Sequence, residues 1–165
     1  MLFPEGRQIT LREGKENMEN SHYAFVLVTD EKYWKRLCQS QSQGKQINFF
    51  VRKNSVGPKQ TNRLLFYVKK PHMQILGTAD FAERIVGDVK DLWSKFGAES
   101  IFDSIDEYRA FAKENRKITF IRFENFKEIA DPKPKETVTR LLGSLVWFRP
   151  RYVSQQTAEQ LEGKI

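Results

Sequence analysis

The sequence predicts one α+β domain, mainly antiparallel and barrel-like, on three observations. Strand-like segments outnumber helical ones, neighbouring strands are joined by short loops, and the order β-α-β-β-β-α-α-β-β-α lacks the alternation of a doubly wound parallel sheet. The length of 165 residues, with 39% hydrophobic and 13% aromatic side chains, supplies one core and leaves no room for two full catalytic domains.

Each element has its own signal. Residues 23–29, YAFVLVT, are a continuous β-branched and aromatic run, the pattern of a strand buried on both faces. A helix is predicted over 30–39, with Asp30 as N-cap, Tyr33 and Leu37 one turn apart and Trp34 beside them, before QSQSQG breaks the chain. Residues 46–52, QINFFVR, alternate with period two and put Phe50 and Arg52 on one mixed aromatic and cationic face. RLLFYVKK (63–70) is a third strand closed by Pro71, and residues 73–86 form a long fourth strand in which Gly77 marks a bulge or a close approach. Asp88 and Asp91 bracket the first turn of a helix carrying Val89, Leu92, Trp93 and Phe96, with Gly97 as its C-terminal stop. Ser104 and Glu107 have capping-box spacing for a further helix that aligns Ile105, Tyr108, Phe111 and Ala112. KITFIRFENF (117–126) returns to strand, DPKPKE (131–136) is a rigid turn or linker, and SLVWFRPRYV (144–153) is the last strand. Ser154 caps a short final helix with Ala158 and Leu161 facing inward.

Residues 1–20 are read as a loose extension and 21–165 as the domain. The first 17 follow no amphipathic period and hold Pro4, Gly6 and Gly14. Met18 stands just ahead of the first strand, so translation is expected to start there naturally, with Arg12-Glu13-Gly14 encoded by a purine-rich ribosome-binding stretch; the mass of the native protein checks this. No run approaches the roughly 18 apolar residues of a membrane span, and MLFPEGRQIT lacks the apolar core of a secretory signal, so a soluble cytoplasmic protein is expected. Cys38 has no second cysteine to pair with, and His22 and His72 fall short of a zinc ligand set, so no metal or other cofactor is expected.

The net charge of +7 is unevenly spread. Residues 31–75 carry 10 basic side chains and 1 acidic one, residues 76–165 carry 15 of each, and no Asp or Glu occurs in the 48 positions between Glu31 and Asp80. Clustered Lys and Arg raise the local concentration of polyanions and gain from counterion release, so RNA or single-stranded nucleic acid is the leading partner class, with no membrane role. The competing account is a solubilising surface charge.

No nucleophile elbow, Walker loop, dinucleotide fingerprint or HExxH is present, which excludes a standard ATPase, dehydrogenase or zincin. Asp88 with Asp91, and Asp106 with Glu107, sit in first turns where the helix dipole favours carboxylates, so capping outweighs an acid/base dyad. His72, alone after Pro71, reads as a surface or packing residue. On the last strand Trp147, Arg149 and Arg151 share one face, while Val146, Phe148 and Tyr152 share the other. An indole beside guanidinium groups suits base stacking and phosphate contact. The expected binding surface is therefore Lys45, Phe50, Arg52, Lys53, Lys59, Arg63, Lys69, Lys70, Trp147, Arg149 and Arg151. Its sharpest form has Trp147 as the stacking floor of a base-sized pocket, with Arg149 and Arg52 on the rim; the alternative is that Phe50 and Trp147 fill a second layer of core.

The helix with WKRL, then GKQINFFVRK, RLLFYVKKP, ILGTADFAERIVGDVKDLWSKFG and EYRAFAKENRKITFIRFENFKEIADP, resembles an uncharacterised, mainly archaeal protein family with a PUA-like fold, related to the EVE and ASCH domains. The resemblance covers about residues 23–162, and FYVKKP, WSKFG and ITFIRFENF are its most specific stretches. It implies a PUA-like pseudo-barrel with peripheral helices, whose relatives bind RNA or modified bases in a cleft of the barrel. The functional expectation is a non-catalytic RNA or modified-base binding module. The alternative is an ASCH-type amidohydrolase acting on a modified nucleoside, since some ASCH relatives use a GxKxxTxR-like motif and a separate Glu. GKQINFFVR (44–52) and GPKQTNR (57–63) each resemble part of that motif, which makes Lys59 and Thr61 the candidate catalytic pair, both on one face of an extended segment.

Overall fold

Ala24–Thr29 is the strand on which the sheet is assembled (β1), and every one of its residues is buried. It appears in a computed structural model that describes residues 21–43, 46–53, 57–143 and 151–164. After β1 come α1 (Glu31–Gln43), β2 (Phe49–Lys53), β3 (Arg63–Val68) and β4 (Gln74–Asp88). Then follow α2 (Val89–Phe96), a 3-10 turn (Gly97–Glu99), α3 (Ile105–Ala112), β5 (Lys117–Glu128), α4 (Lys135–Leu142), β6 (Arg151–Val153) and α5 (Gln155–Glu162).

The strands form one six-stranded sheet in the order β2-β5-β4-β3-β1-β6. Only β1 and β3 run parallel, with Ala24 opposite Arg63 and Thr29 opposite Val68; the other neighbours are antiparallel. The expected mixed, mainly antiparallel α+β architecture is thus present, but among the described residues the sheet is open rather than a closed barrel. Among the described residues β6 pairs with Ala24, Phe25 and Val26 of β1, and β2 pairs with β5. Arg52 Nη1 of β2 donates to the Val28 carbonyl of β1 at 3.0 Å, and the Phe50 ring lies 6.0 Å from that of Phe66 on β3. A side chain therefore ties β2 to β1 across the seam between them.

Two apolar clusters fill the two faces. The larger contains Phe25, Leu27, Trp34, Leu37, Phe49, Phe50, Phe66, Phe120 and Phe123, and the smaller packs Val26, Val28, Leu65 and Tyr67 under Val138, Leu142, Ala158 and Leu161 of α4 and α5. Because successive side chains of a strand point to opposite faces, β1 feeds both clusters, which is why its sequence shows no alternation. Gly77 sits opposite Phe66, next to a register shift in β3 and β4. A Cβ there would lie 2.5 Å from Trp34 Cη2 and 2.8 Å from the Lys127 carbonyl, so Gly77 is both a bulge neighbour and a close approach.

Two local expectations are corrected. The helix predicted over 30–39 continues to Gln43, so QSQSQ extends it instead of breaking it. Residues 131–136, read as a turn or linker, lead into α4, with Pro134 in extended conformation at its N-cap and Val138 and Leu142 buried one turn apart. Gly97 is the C-cap of α2 as expected, with φ at −56°, and glycine is required there because a Cβ would come within 2.4 Å of the Trp93 ring. The last strand is described only from Arg151; residues 144–150 lie outside the described residues, as do 1–20.

The caps behave as the sequence implies. Asp88 accepts from the Lys90 and Asp91 amides, and Ser104 Oγ accepts from the Glu107 amide at 3.2 Å. Glu107 also receives the Asp103 amide at 3.0 Å and clamps Arg36 of α1, with Arg36 Nη2 to Oε2 at 2.8 Å. The Arg36 guanidinium holds the Glu107 carboxyl at about 2, against an ordinary value of 4.5. A carboxyl depressed in the folded state stabilises it fully above its unfolded value and loses that contribution as pH falls toward the folded one. Glu107→Gln should therefore lower stability at pH 7 by about 1–2 kcal/mol after solvent screening, and lose less than wild type between pH 5 and 2. Denaturant unfolding at pH 7 and pH 3 checks this; a pH-independent difference between the two proteins would contradict it.

Candidate functional site

The seam opens into a cavity of about 380 Å³. Val28, Thr29 and Asp30 form one side, Phe50, Val51, Arg52 and Lys53 the other, and Tyr33, Lys69, Ile101 and Phe111 complete it. The geometry follows from the strand ends. β1 hands over to α1 at Asp30, whose carbonyl accepts the Trp34 amide at 3.1 Å, and this turn sets Tyr33 over the cavity. The ring of Tyr33 packs edge-on to Phe102 at 5.5 Å, and burial pushes its hydroxyl above the ordinary range.

The cations of the cavity are held in different ways. Arg52 is half-buried, and burial lowers its guanidinium from the ordinary value while the Asp30 carboxylate favours the charged form. One of its five donors is engaged by Val28, and the walls around it are Phe50, Tyr33 and Phe111. Lys53 Nζ lies 5.1 Å from the Phe111 ring centroid, a cation over an aromatic face. Lys69 Nζ pairs with Asp30 Oδ1 at 3.0 Å with both side chains about half exposed, so this ion pair is weak and open to exchange. A site that joins aromatic walls to three cations and one carboxylate suits an aromatic ligand that carries negative charge.

The structure brings together only some of the expected binding residues. Phe50, Arg52, Lys53 and Lys69 line this one cavity, and Lys70 lies exposed beside Lys69. Phe50 is 3% exposed, so it is the backing of the wall and not an open stacking platform. Arg63 is elsewhere and engaged through both terminal nitrogens: Nη1 meets Asp80 Oδ1 at 2.7 Å, while Nη2 meets Glu162 Oε1 at 2.7 Å and Thr78 Oγ1 at 2.9 Å. It is an ion-pair centre tying α5 to the sheet and does not line the cavity. Arg151 sits on β6 with Nε and Nη2 buried and without a hydrogen-bond partner among the described residues, and it does not line the cavity. Lys45, Trp147 and Arg149 lie outside the described residues.

The candidate catalytic pair is not assembled. Thr61 is 4% exposed and its hydroxyl donates to the His22 carbonyl at 2.9 Å, whereas Lys59 is exposed and its amide donates to the Tyr152 hydroxyl at 2.9 Å. The threonine is a tie between the chain before β1 and the loop before β3, and burial removes it from any substrate. His72 is a positioning contact, with Nε2 at 2.7 Å from Glu31 Oε2. Tyr33 and Phe111 belong to the core as helical periodicity implies, but that periodicity does not show that they also line the cavity, and Asp30 reads in the sequence as a cap alone.

Residues 26–146 match the sequence pattern of a domain of unknown function, DUF365. The chain belongs to the DUF365 family. None of the curated proteins matches it in sequence. The DUF365 chain is similar in fold to the ASCH protein of Zymomonas mobilis, with a TM-score of 0.70, 19% identity, and coverage of 86% of this chain and 95% of that one. A single-substitution mutant of the same protein gives 0.71, 19%, 87% and 97%. The N-terminal domain of Staphylothermus marinus McrB is similar at a TM-score of 0.51 and 10% identity, covering 86% of the DUF365 chain and 94% of its own. At these identities the likeness concerns the fold: the expected ASCH-like, PUA-like class is present, and the site is argued from its own residues. No helix among the described residues is long and apolar enough to cross a membrane.

Proposed function

We propose that this DUF365 domain is a non-catalytic module that binds RNA or another single-stranded nucleic acid, with one base, modified or plain, in the cavity at the seam. One observation carries the reading: a half-buried guanidinium, Arg52, held among aromatic walls with Lys53 and Lys69 at the same opening. A guanidinium presents donors in a plane that suits both a phosphate and the carbonyl edge of a base, and rings of this size accept stacking. The fold-level kinship with ASCH proteins agrees with the reading, and a relation to EVE domains, an archaeal source and a cytoplasmic setting belong to it as well. The amidohydrolase alternative loses its support, because the buried Thr61 hydroxyl already serves the His22 carbonyl.

Binding of short random-sequence single-stranded RNA, titrated at two salt concentrations, tests this. Contact with two or three phosphates should give a slope of about 1.4–2.1 log units of affinity per log unit of salt. Arg52→Ala should weaken binding by about 10- to 150-fold, the range for losing a charge-assisted hydrogen-bonding group. Arg52→Lys should recover only part of that loss, since it restores the charge without the planar fork. Binding indifferent to salt and to Arg52 would overturn the proposal and leave the charge as a solubilising device. Turnover of an acylated nucleoside would replace it by the hydrolase reading.

A further inference from the structure

A second hollow, of about 430 Å³, adjoins the first through a shared residue. Lys69 lines both, and the second is completed by Lys70, Met73 and Lys135. Among the described residues three lysines and a methionine line it, with no carboxylate among them, and the surface they offer there is mainly their apolar stems. Lys135 opens α4, the helix that the sequence conceals behind Pro132 and Pro134. Met73 is held in the left-handed region at φ 54°, its amide donating to the Val68 carbonyl at 2.8 Å. A non-glycine residue in that conformation is uncommon, and here it sets a thioether side chain among the lysines.

The connection between the hollows is built. The Lys69 amide donates to the Thr29 carbonyl at 3.0 Å, and His72 pairs with Glu31 at 2.7 Å, so two contacts dock the loop 69–73 onto the end of β1 and the start of α1 beside the base cavity. The loop carrying the second hollow therefore has a fixed place relative to the first. The first hollow has aromatic walls; among the described residues that line the second there is no ring, and the only charges are positive. Such a pair suits a ligand with one aromatic group followed by further negative charge along the same chain.

We infer that the ligand is an oligonucleotide of at least two nucleotides and not a free nucleoside or mononucleotide: one base enters the seam cavity and the neighbouring phosphodiester runs past Lys69 over Lys70, Met73 and Lys135. This rests on the proposed nucleic-acid function and adds the length and direction of the ligand. Joining two subsites makes the second binding event intramolecular, so affinity rises with chain length until both are filled.

The test compares random-sequence RNA trinucleotides with an equimolar mixture of the four ribonucleoside 5′-monophosphates, by chemical-shift titration of the wild type and of a Lys70→Ala/Lys135→Ala variant. Both lysines are exposed, and unchanged thermal unfolding confirms that the variant folds. In the wild type the trinucleotides should bind about 10-fold or more tightly than the monophosphates. In the variant that ratio should fall toward one, and the salt slope for trinucleotides should drop by roughly 0.7 for each phosphate no longer neutralised. Equal affinities for the two ligands in the wild type, or a ratio that survives the double substitution, would overturn the inference while leaving the base-binding reading standing. If neither ligand binds, the underlying reading fails and takes this inference with it.

Discussion

Replacing Arg63 by alanine is expected to lower the unfolding free energy by about 3–5 kcal/mol, the range for removing one partner of a buried ion pair. The magnitude comes from what is left behind. The Glu162 side chain is 5% exposed, with Oε2 already lacking a hydrogen bond, and Lys164 at 3.4 Å is the only other cation paired with it among the described residues. Asp80 is less affected, since it keeps the Asn125 amide at 2.8 Å and is 40% exposed. Removing both charges together, as Arg63→Met with Glu162→Leu, should recover much of the loss, because a packed apolar pair avoids the desolvation cost. Urea unfolding of the single and double variants measures this. A stable Arg63→Ala protein with a reduced salt slope for RNA would return Arg63 to the binding surface.

Phe66→Ala should cost a similar amount, about 3–5 kcal/mol, by the transfer and cavity contributions of a large buried ring. Phe66 is 0% exposed and sits at the centre of an aromatic group: Trp34 at 6.3 Å, Phe50 at 6.0 Å, Phe123 at 5.8 Å and Phe126 at 5.5 Å between ring centroids. Edge-on contacts of this kind add to the burial. The position also bears on the site, because Phe50 backs the cavity wall and Phe66 backs Phe50. Thermal unfolding should show the loss. Phe66→Leu should restore most of the stability, and a Phe66→Ala protein as stable as wild type would mean that its neighbours collapse into the space.

Much of the fold is legible in the sequence because burial leaves a pattern. The run over 23–29 and the capping residues Asp88, Ser104 and Ser154 each speak for their own element, and the structure places each within a residue or two. What is illegible depends on partners far along the chain. Arg63 meets carboxylates 17 and 99 positions away, so nothing near it in sequence marks it as an ion-pair centre. The acid-free stretch misleads for the same reason: Lys32 and Arg36 take Glu107, Arg63 takes Asp80 and Glu162, and Lys69 takes Asp30. Fewer of the described cations lack an acidic partner than the composition implies, and Arg52 and Lys53 of β2 are the ones that line the cavity without a salt bridge among the described residues. Helix α4 is hidden by two prolines that read as a linker, although Val138 and Leu142 carry the one-turn spacing that marks a buried face. Tyr33 and Phe111 are a different case: a residue that walls a cavity and one that fills a core obey the same periodicity.

In a closed barrel the interior width is a property of the backbone, fixed by the number of strands and their stagger. Here β2 faces β1 with an arginine side chain spanning the distance, so the aperture is measured in methylene groups. A change at position 52 would resize or relax the opening while every hydrogen bond between paired strands stayed in place. On the proposed reading, such a scaffold separates the residues that make it stable from the one side chain, at position 52, that would gauge a guest.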